Sequence, residues 1–187
     1  MGEAISSKNK TIFLVCGSVR PGSLTRSAVN LLESYFHSKG FKTDLFHPEN
    51  LDISYLGASF PTEIQNNLKQ RILDSVGVVF CTPEYNGCFS SVTMAILENL
   101  GYPSVLKHKP ISLLGVAAGT IGAIKALEHL RGVCSHMGGI VLPWSVSIAT
   151  VHKQFDEDRN CIDQKTCDLI QSLADEMIVY LTSVTGS

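Results

Sequence analysis

Short apolar runs rich in β-branched residues alternate along this chain with segments of helical period, and few folds accept that rhythm. The stretches Thr11–Cys16, 76–81 and 111–116 are apolar almost throughout, as strands covered on both faces must be. A shorter strand is expected at Lys42–Phe46. A fifth opens at 140–142, breaks at Pro143-Trp144 and resumes at 146–149. Helices are expected between them at 23–38, 62–74, 90–100, 120–137 and 164–181, with Gly40 ending the first and Asp163 placed to cap the last. Strand alternating with helix at this length means an α/β fold of three layers, α/β/α: a five-stranded parallel sheet, order 2-1-3-4-5, between two helical layers. Ligands of such sheets lie beyond the carboxyl ends of the strands, where the first and third strands diverge.

A length of 187 residues suits a single domain, with residues 1–10 as an N-terminal extension. Hydrophobic residues make up 44%, enough for a core, and 15 Lys and Arg against 17 Asp and Glu leave no basic footprint for nucleic acid. No apolar segment approaches the roughly 20 residues of a membrane span, and the first residues hold no signal-peptide core, so a cytoplasmic protein with no membrane partner is expected. Met1-Gly-Glu-Ala-Ile-Ser6 fits the permissive N-myristoylation pattern and Asn9-Lys-Thr11 is a sequon; both read more simply as a polar start. The six cysteines show no paired spacing. Cys16 and Cys81 read as small core residues, and Cys88 alone stands beside a candidate site. Neither the cysteines nor the six histidines form a metal-ligand cluster, and no metal is expected. The 45–61 connection is long for a compact domain and carries no assignable role.

Three loops follow strands at the edge where a ligand belongs. The first, in Val15-Cys-Gly-Ser-Val-Arg-Pro-Gly-Ser-Leu-Thr-Arg26, runs from a strand straight into a helix. Gly17 and Gly22 let the backbone curl so that successive N–H groups converge, the helix start adds its unpaired donors and positive dipole end, and Arg20 and Arg26 add charge. A monophosphate suits this cradle. It is neither a Walker A loop, since no Gly-Lys-Ser/Thr follows, nor a dinucleotide fingerprint. The plainer alternative is a strand-to-helix turn with Ser23 as N-cap. The second loop, Thr82-Pro-Glu-Tyr-Asn-Gly87, offers Tyr85 and Asn86 to a flat heterocycle, or is a strand-end turn with a capping Asn. The third, Ala117-Ala-Gly-Thr-Ile-Gly122, makes a small-residue wall where Gly119 stands in place of a colliding Cβ, or a simple connection with Thr120 as N-cap. Together they meet the needs of a flavin mononucleotide: a phosphate cradle, a ring platform and a close wall. Glu84 is read as an orienting group.

At these residues the chain resembles the NADPH-dependent FMN reductase family. Gly17-Ser-Val-Arg-Pro-Gly-Ser23 is similar to that family's first signature and Pro83-Glu-Tyr-Asn-Gly87 to its second, about sixty residues further on. The similarity runs over most of the chain, through Phe155-Asp-Glu-Asp158 to the final helix. The resemblance implies a flavodoxin-like fold and non-covalent FMN, with NADPH or NADH as electron donor. The implied acceptor is a small molecule: a quinone, an azo compound, free flavin or an oxidised metal ion. It implies that Ser18, Arg20, Ser23 and Thr25 hold the phosphate, with Leu24 also among the cofactor-binding residues. Pro83, Glu84, Tyr85, Asn86 and Gly87 would border the isoalloxazine, and Gly119 and Thr120 would lie near it. The flavin ring, not a side chain, would be the reacting group, and the chain would form a homodimer or homotetramer. Two departures stand out: Thr93-Met-Ala-Ile-Leu-Glu98 lacks the family's Lys and Asn, and Ala118 stands where Gly is common. A flavodoxin-like electron carrier is the competing expectation, although carriers tend to be strongly acidic and the net charge here is −2. An FMN-binding or other phosphate-ester-binding regulatory module is the third.

Overall fold

In the computed structural model, which describes residues 10–48 and 61–185, the apolar runs form the middle of one sheet. Its strands are β1 (Thr11–Cys16), β2 (Lys42–Phe46), β3 (Gly77–Tyr85), β4 (Cys88–Phe89), β5 (Pro110–Val116) and β6 (Ile140–Ile148). Five of them pair in parallel in the order β2-β1-β3-β5-β6, which is the expected 2-1-3-4-5, and β4 is an added antiparallel strand on the end of β3. The N-terminal extension with its acylation pattern, the sequon's Asn9 and most of the 45–61 connection lie outside the described residues.

The helices are α1 (Leu24–Ser38), α2 (Thr62–Asp74), α3 (Ser91–Glu98), α4 (Ile124–His136) and α5 (Gln164–Thr185). Alternate residues of β1 explain why its sequence is apolar at every step. Ile12 and Leu14 join the core under α1 and α5, while Phe13 and Val15 join a second core under α2, α3 and α4. All four are fully buried, and burying a side chain of this size contributes roughly 1.5–3 kcal/mol. Asp163 caps α5 as its position suggested, with Oδ2 accepting from Thr166 N at 2.8 Å.

Three local expectations change. First, β3 does not stop at Cys81 but continues through Thr82, Pro83 and Glu84 to Tyr85. It then turns back through Asn86 and Gly87 into β4, pairing Glu84 with Phe89 and Tyr85 with Cys88. Asn86 (φ 51°) and Gly87 (φ 79°) both take positive φ, which is the two-residue Asn-Gly hairpin turn. Second, α4 starts at Ile124 rather than at Thr120, so Thr120 is not its N-cap. The preceding residues form a turn, held where Ser147 Oγ accepts from Ala123 N at 2.8 Å. Third, β6 runs unbroken past Pro143-Trp144. Its register slips between Ile111 and Leu113 of β5, leaving the Pro-Trp pair as a bulge on an edge strand, where a missing N–H is tolerated. Arg131 of α4 donates to the bulge at Pro143 O (3.2 Å) and Ser145 Oγ (2.5 Å).

Candidate functional site

The loop after β1 is fixed from behind before any ligand is considered. Gly17 N donates to Cys81 O at 2.7 Å, which ties the loop's root to β3. A buried cluster of hydroxyls then fastens it to the start of α3. Ser90 Oγ donates to Gly17 O at 2.6 Å and lies 2.9 Å from Thr93 Oγ1, which donates to Thr82 Oγ1 at 3.2 Å. Thr82 Oγ1 in turn accepts from Ser90 N at 3.1 Å. All three side chains are buried, so each hydroxyl needs these partners. A Cβ on Gly17 would fall 2.1 Å from Thr93 Oγ1, so only glycine admits this close approach of α3.

The cradle itself has an open helix start. Ser23 occupies the N-cap position of α1, yet its side chain accepts no hydrogen bond from the first turn. Its hydroxyl donates instead to Ser18 Oγ at 2.8 Å. Ser90, at the same position before α3, does cap, accepting from Thr93 N at 3.1 Å. The contrast separates the two readings of the first loop. An ordinary cap consumes a first-turn N–H; in α1 Arg26 N turns back to Ser23 O at 3.0 Å, and the Leu24 and Thr25 N–H groups at the positive dipole end receive no side-chain cap. Gly22 takes φ +65°, which bends the chain from Arg20 into the helix and brings Ser23 N to 3.1 Å from Arg20 O.

A cavity of about 440 Å³ opens in front of this cradle, within the range of small-molecule sites. It lies at the carboxyl ends of β1, β3 and β5. Ser18, Arg20, Ser23, Leu24 and Thr25 line it from the first loop, and Pro83, Glu84 and Tyr85 line it from the end of β3. Eight of the twelve residues singled out in the sequence therefore face one space. Asn86, Gly87, Gly119 and Thr120 are not among its lining: the first two form the hairpin turn, and the last two lie beyond the wall. Glu84 Oε1 accepts from Gly87 N at 2.6 Å, so the carboxylate braces the turn. Nothing lies within 4 Å of a Cβ built on Gly119, so no protein atom demands glycine there.

The third wall consists of Val116, Ala117, Ala118 and Val151. Val151 reaches it from a distant part of the chain. It stands in a short 3-10 turn after β6, and Val151 N donates to Ala117 O at 3.0 Å while Thr150 N donates to Gly119 O at 3.0 Å. Only this pairing brings it to the cavity, and no local pattern marks it. The two arginines of the first loop also separate. Arg26 Nε donates to Asn30 Oδ1 at 2.9 Å along α1. Arg20 lies over the Tyr85 ring, 4.8 Å from its centroid. The ion pairs among the described residues are Lys39–Asp175, Asp44–Arg71 and Lys125–Glu128, so Arg20 has no carboxylate partner there. The site thus sets three hydroxyls and the start of α1 beside a guanidinium stacked on the Tyr85 ring, with the Glu84 carboxylate and small apolar residues completing the walls.

The described residues hold no group of three or more potential metal ligands, and no helix among them is long and apolar enough to cross a membrane. The sequence pattern of the family described as NADPH-dependent FMN reductase matches residues 11–153. A 2-hydroxy-1,4-benzoquinone reductase from Burkholderia sp is 29% identical over 177 residues, covering 91% of this chain and 95% of that protein. An FMN-dependent NADPH-azoreductase from Staphylococcus aureus is 25% identical over 154 residues, covering 79% of this chain and 80% of its own. Among solved structures, the NAD(P)H:(acceptor) oxidoreductase FerB from Paracoccus denitrificans superposes with a TM-score of 0.76 at 26% identity, over 93% of this chain and 98% of that one.

Proposed function

Since the chain belongs to the NADPH-dependent FMN reductase family, we propose that it binds FMN in the 440 Å³ cavity and reduces a small quinone or azo acceptor with NADPH or NADH. The observation that carries this reading is the pairing of an uncapped α1 start with an uncompensated Arg20, both facing a cavity with an aromatic wall. The donor set suits a phosphate monoester: neutral N–H and O–H groups and one guanidinium, with no carboxylate in the first loop to repel it. Tyr85, Pro83 and the small apolar wall suit a planar ring. Names of relatives point the same way, being a quinone reductase and an NADPH-azoreductase.

When bound, FMN supplies a ring that accepts hydride from a reduced nicotinamide and passes electrons on. The protein's part is binding and electrostatics. Ser18, Ser23 and Thr25, with the first-turn N–H groups of α1 and the charge of Arg20, would hold the phosphate. Pro83 and Tyr85 would border the ring, and Glu84 would keep their hairpin in register through Gly87 N. Ala117, Ala118 and Val151 would close one side against water while leaving room for a flat ligand. Asn86, Gly87, Gly119 and Thr120 would stand at the rim of the ring site, outside the lining itself. The assembly is a homodimer or homotetramer on this reading, as the family resemblance implies. The chemistry also suits a cytoplasmic setting, where reduced nicotinamides are at hand.

Purified protein supplied with FMN and NADPH is expected to consume NADPH when given a quinone or an azo dye, and to elute as an oligomer carrying flavin absorbance. Failure to oxidise NADPH with any member of an acceptor panel would remove the enzymatic reading. Flavin uptake without turnover would instead favour the electron carrier.

Tyr85→Ala should separate site from scaffold. Tyr85 is only half-buried and Pro83 and Glu84 keep the strand pairing, so the unfolding midpoint should move by no more than about 4 °C, the equivalent of roughly 1 kcal/mol. Acceptor turnover should fall several-fold, through loss of the ring's neighbour. A large drop in the midpoint with turnover intact would contradict this.

A further inference from the structure

A second arginine reaches the phosphate loop from the far end of the chain. Residues 155–161 fold back on themselves: Phe155 and Cys161 form a bridge, and Asp156 N donates to Asn160 O at 3.0 Å. Arg159 N closes the bend on Asp156 O at 3.1 Å. The turn is well fastened, with buried Phe155 at its root and the Asp156 carboxylate accepting from Asn160 N at 2.8 Å. At its tip Arg159 takes φ +69°. Glycine adopts that conformation freely and asparagine tolerably, whereas an arginine does so only at a cost. An uncommon residue in a strained position invites a functional reading.

The guanidinium lands against Gly22. A Cβ on that glycine would sit 2.7 Å from Arg159 Nη2, so the end of the arginine side chain lies directly against the bend. Asp156 is engaged with Asn160, and Arg159 is in none of the ion pairs found among the described residues. It does not line the 440 Å³ cavity; it lines a separate one of about 330 Å³ beside α1. Arg159 therefore stands behind the first loop, and Arg20 stands in front of it.

We propose that Arg159 is a positioning residue for the ligand's phosphate: it meets the bend at Gly22 and sets a positive charge behind the cradle, directly after the acidic Asp156-Glu157-Asp158 run that precedes it in the chain. This rests on the reading that the cavity takes FMN. A charge behind a loop acts on an anion in front of it through the field alone. Its effect should therefore appear with FMN, be small with riboflavin, which has the same ring and no phosphate, and fade with salt.

Arg159→Gly provides the test, because it removes the cation and relieves the strained backbone together. Apparent dissociation constants for FMN and riboflavin are measured by flavin fluorescence at two salt concentrations, beside the unfolding midpoint of the flavin-free protein. FMN affinity is expected to fall about fivefold, the size of an exposed charge's contribution, and riboflavin affinity to change less than twofold. The midpoint should stay or rise, and Arg159→Lys should recover part of the loss. Equal weakening of both flavins, a lowered midpoint, or FMN binding as tight as that of the unaltered protein would overturn the role of Arg159 while leaving the FMN site standing. If the unaltered protein itself does not bind FMN, the site reading fails and this inference falls with it.

Discussion

Replacing Gly17 with alanine is expected to lower the thermal midpoint of the flavin-free protein by about 4–15 °C, the equivalent of roughly 2–4 kcal/mol for a domain of this size. The new methyl group would fall 2.1 Å from Thr93 Oγ1, 3.0 Å from Cys81 O and 3.3 Å from Ser90 Oγ. None of these can withdraw cheaply. Cys81 O accepts the hydrogen bond from Gly17 N that joins the first loop to β3. Ser90 and Thr93 are the cap of α3 and members of the buried hydroxyl cluster. Moving α3 away would break Ser90 Oγ to Gly17 O and leave buried polar groups unpaired, each at a cost of about 1–3 kcal/mol. Flavin binding should suffer too, since the displaced loop carries Ser18. Thr93→Ala in the same chain removes the nearest obstacle, so the double variant should be more stable than the sum of the two single changes implies. A Gly17→Ala protein with unchanged midpoint and unchanged FMN affinity would show that the loop is not packed as described.

Arg20→Ala should do the opposite: spare the fold and damage the site. Arg20 is exposed and its contact within the protein is the Tyr85 ring at 4.8 Å, a cation–π pair worth about 0.5–1 kcal/mol at an exposed site. The flavin-free midpoint should therefore move little. FMN affinity should fall more than about tenfold, because a charge-assisted contact to phosphate contributes roughly 1.5–3 kcal/mol. Titration of flavin fluorescence reads the loss directly. Unchanged FMN affinity would count against Arg20 as a phosphate ligand and leave its stacking on Tyr85 as its role.

The first loop could be read in the sequence because its parts are adjacent: β1, the bend and the start of α1 follow one another between Thr11 and Arg26. The second could be read only in part. Tyr85 and Pro83 reach the cavity, but the Asn86-Gly87 hairpin is hard to see in the sequence because the strand that answers it, Cys88–Phe89, is two residues long. The third was hardest. Gly119 and Thr120 drew attention by composition, whereas the wall is made by Val116, Ala117, Ala118 and Val151. The hydroxyls of Thr82, Ser90 and Thr93 carry no joint signal in the sequence, because locally they look like a strand end, a cap and a helix residue.

The order of strands and helices was determined by the chain's own periodicity. Ile12 and Phe13 must both be apolar because one faces each helical layer, and a two-residue repeat carries that demand along the strand. Tertiary structure alone decided whether Ser23 caps its helix or leaves it open, that Gly17 must admit α3, and that Arg159 meets Gly22. The last two depend on contacts between segments some 70 to 140 residues apart, and the first on how the intervening loop bends Ser23 onto Ser18, all distances that arise only once the sheet has packed. Periodicity records which way a residue faces; it does not record which distant atom it will meet there.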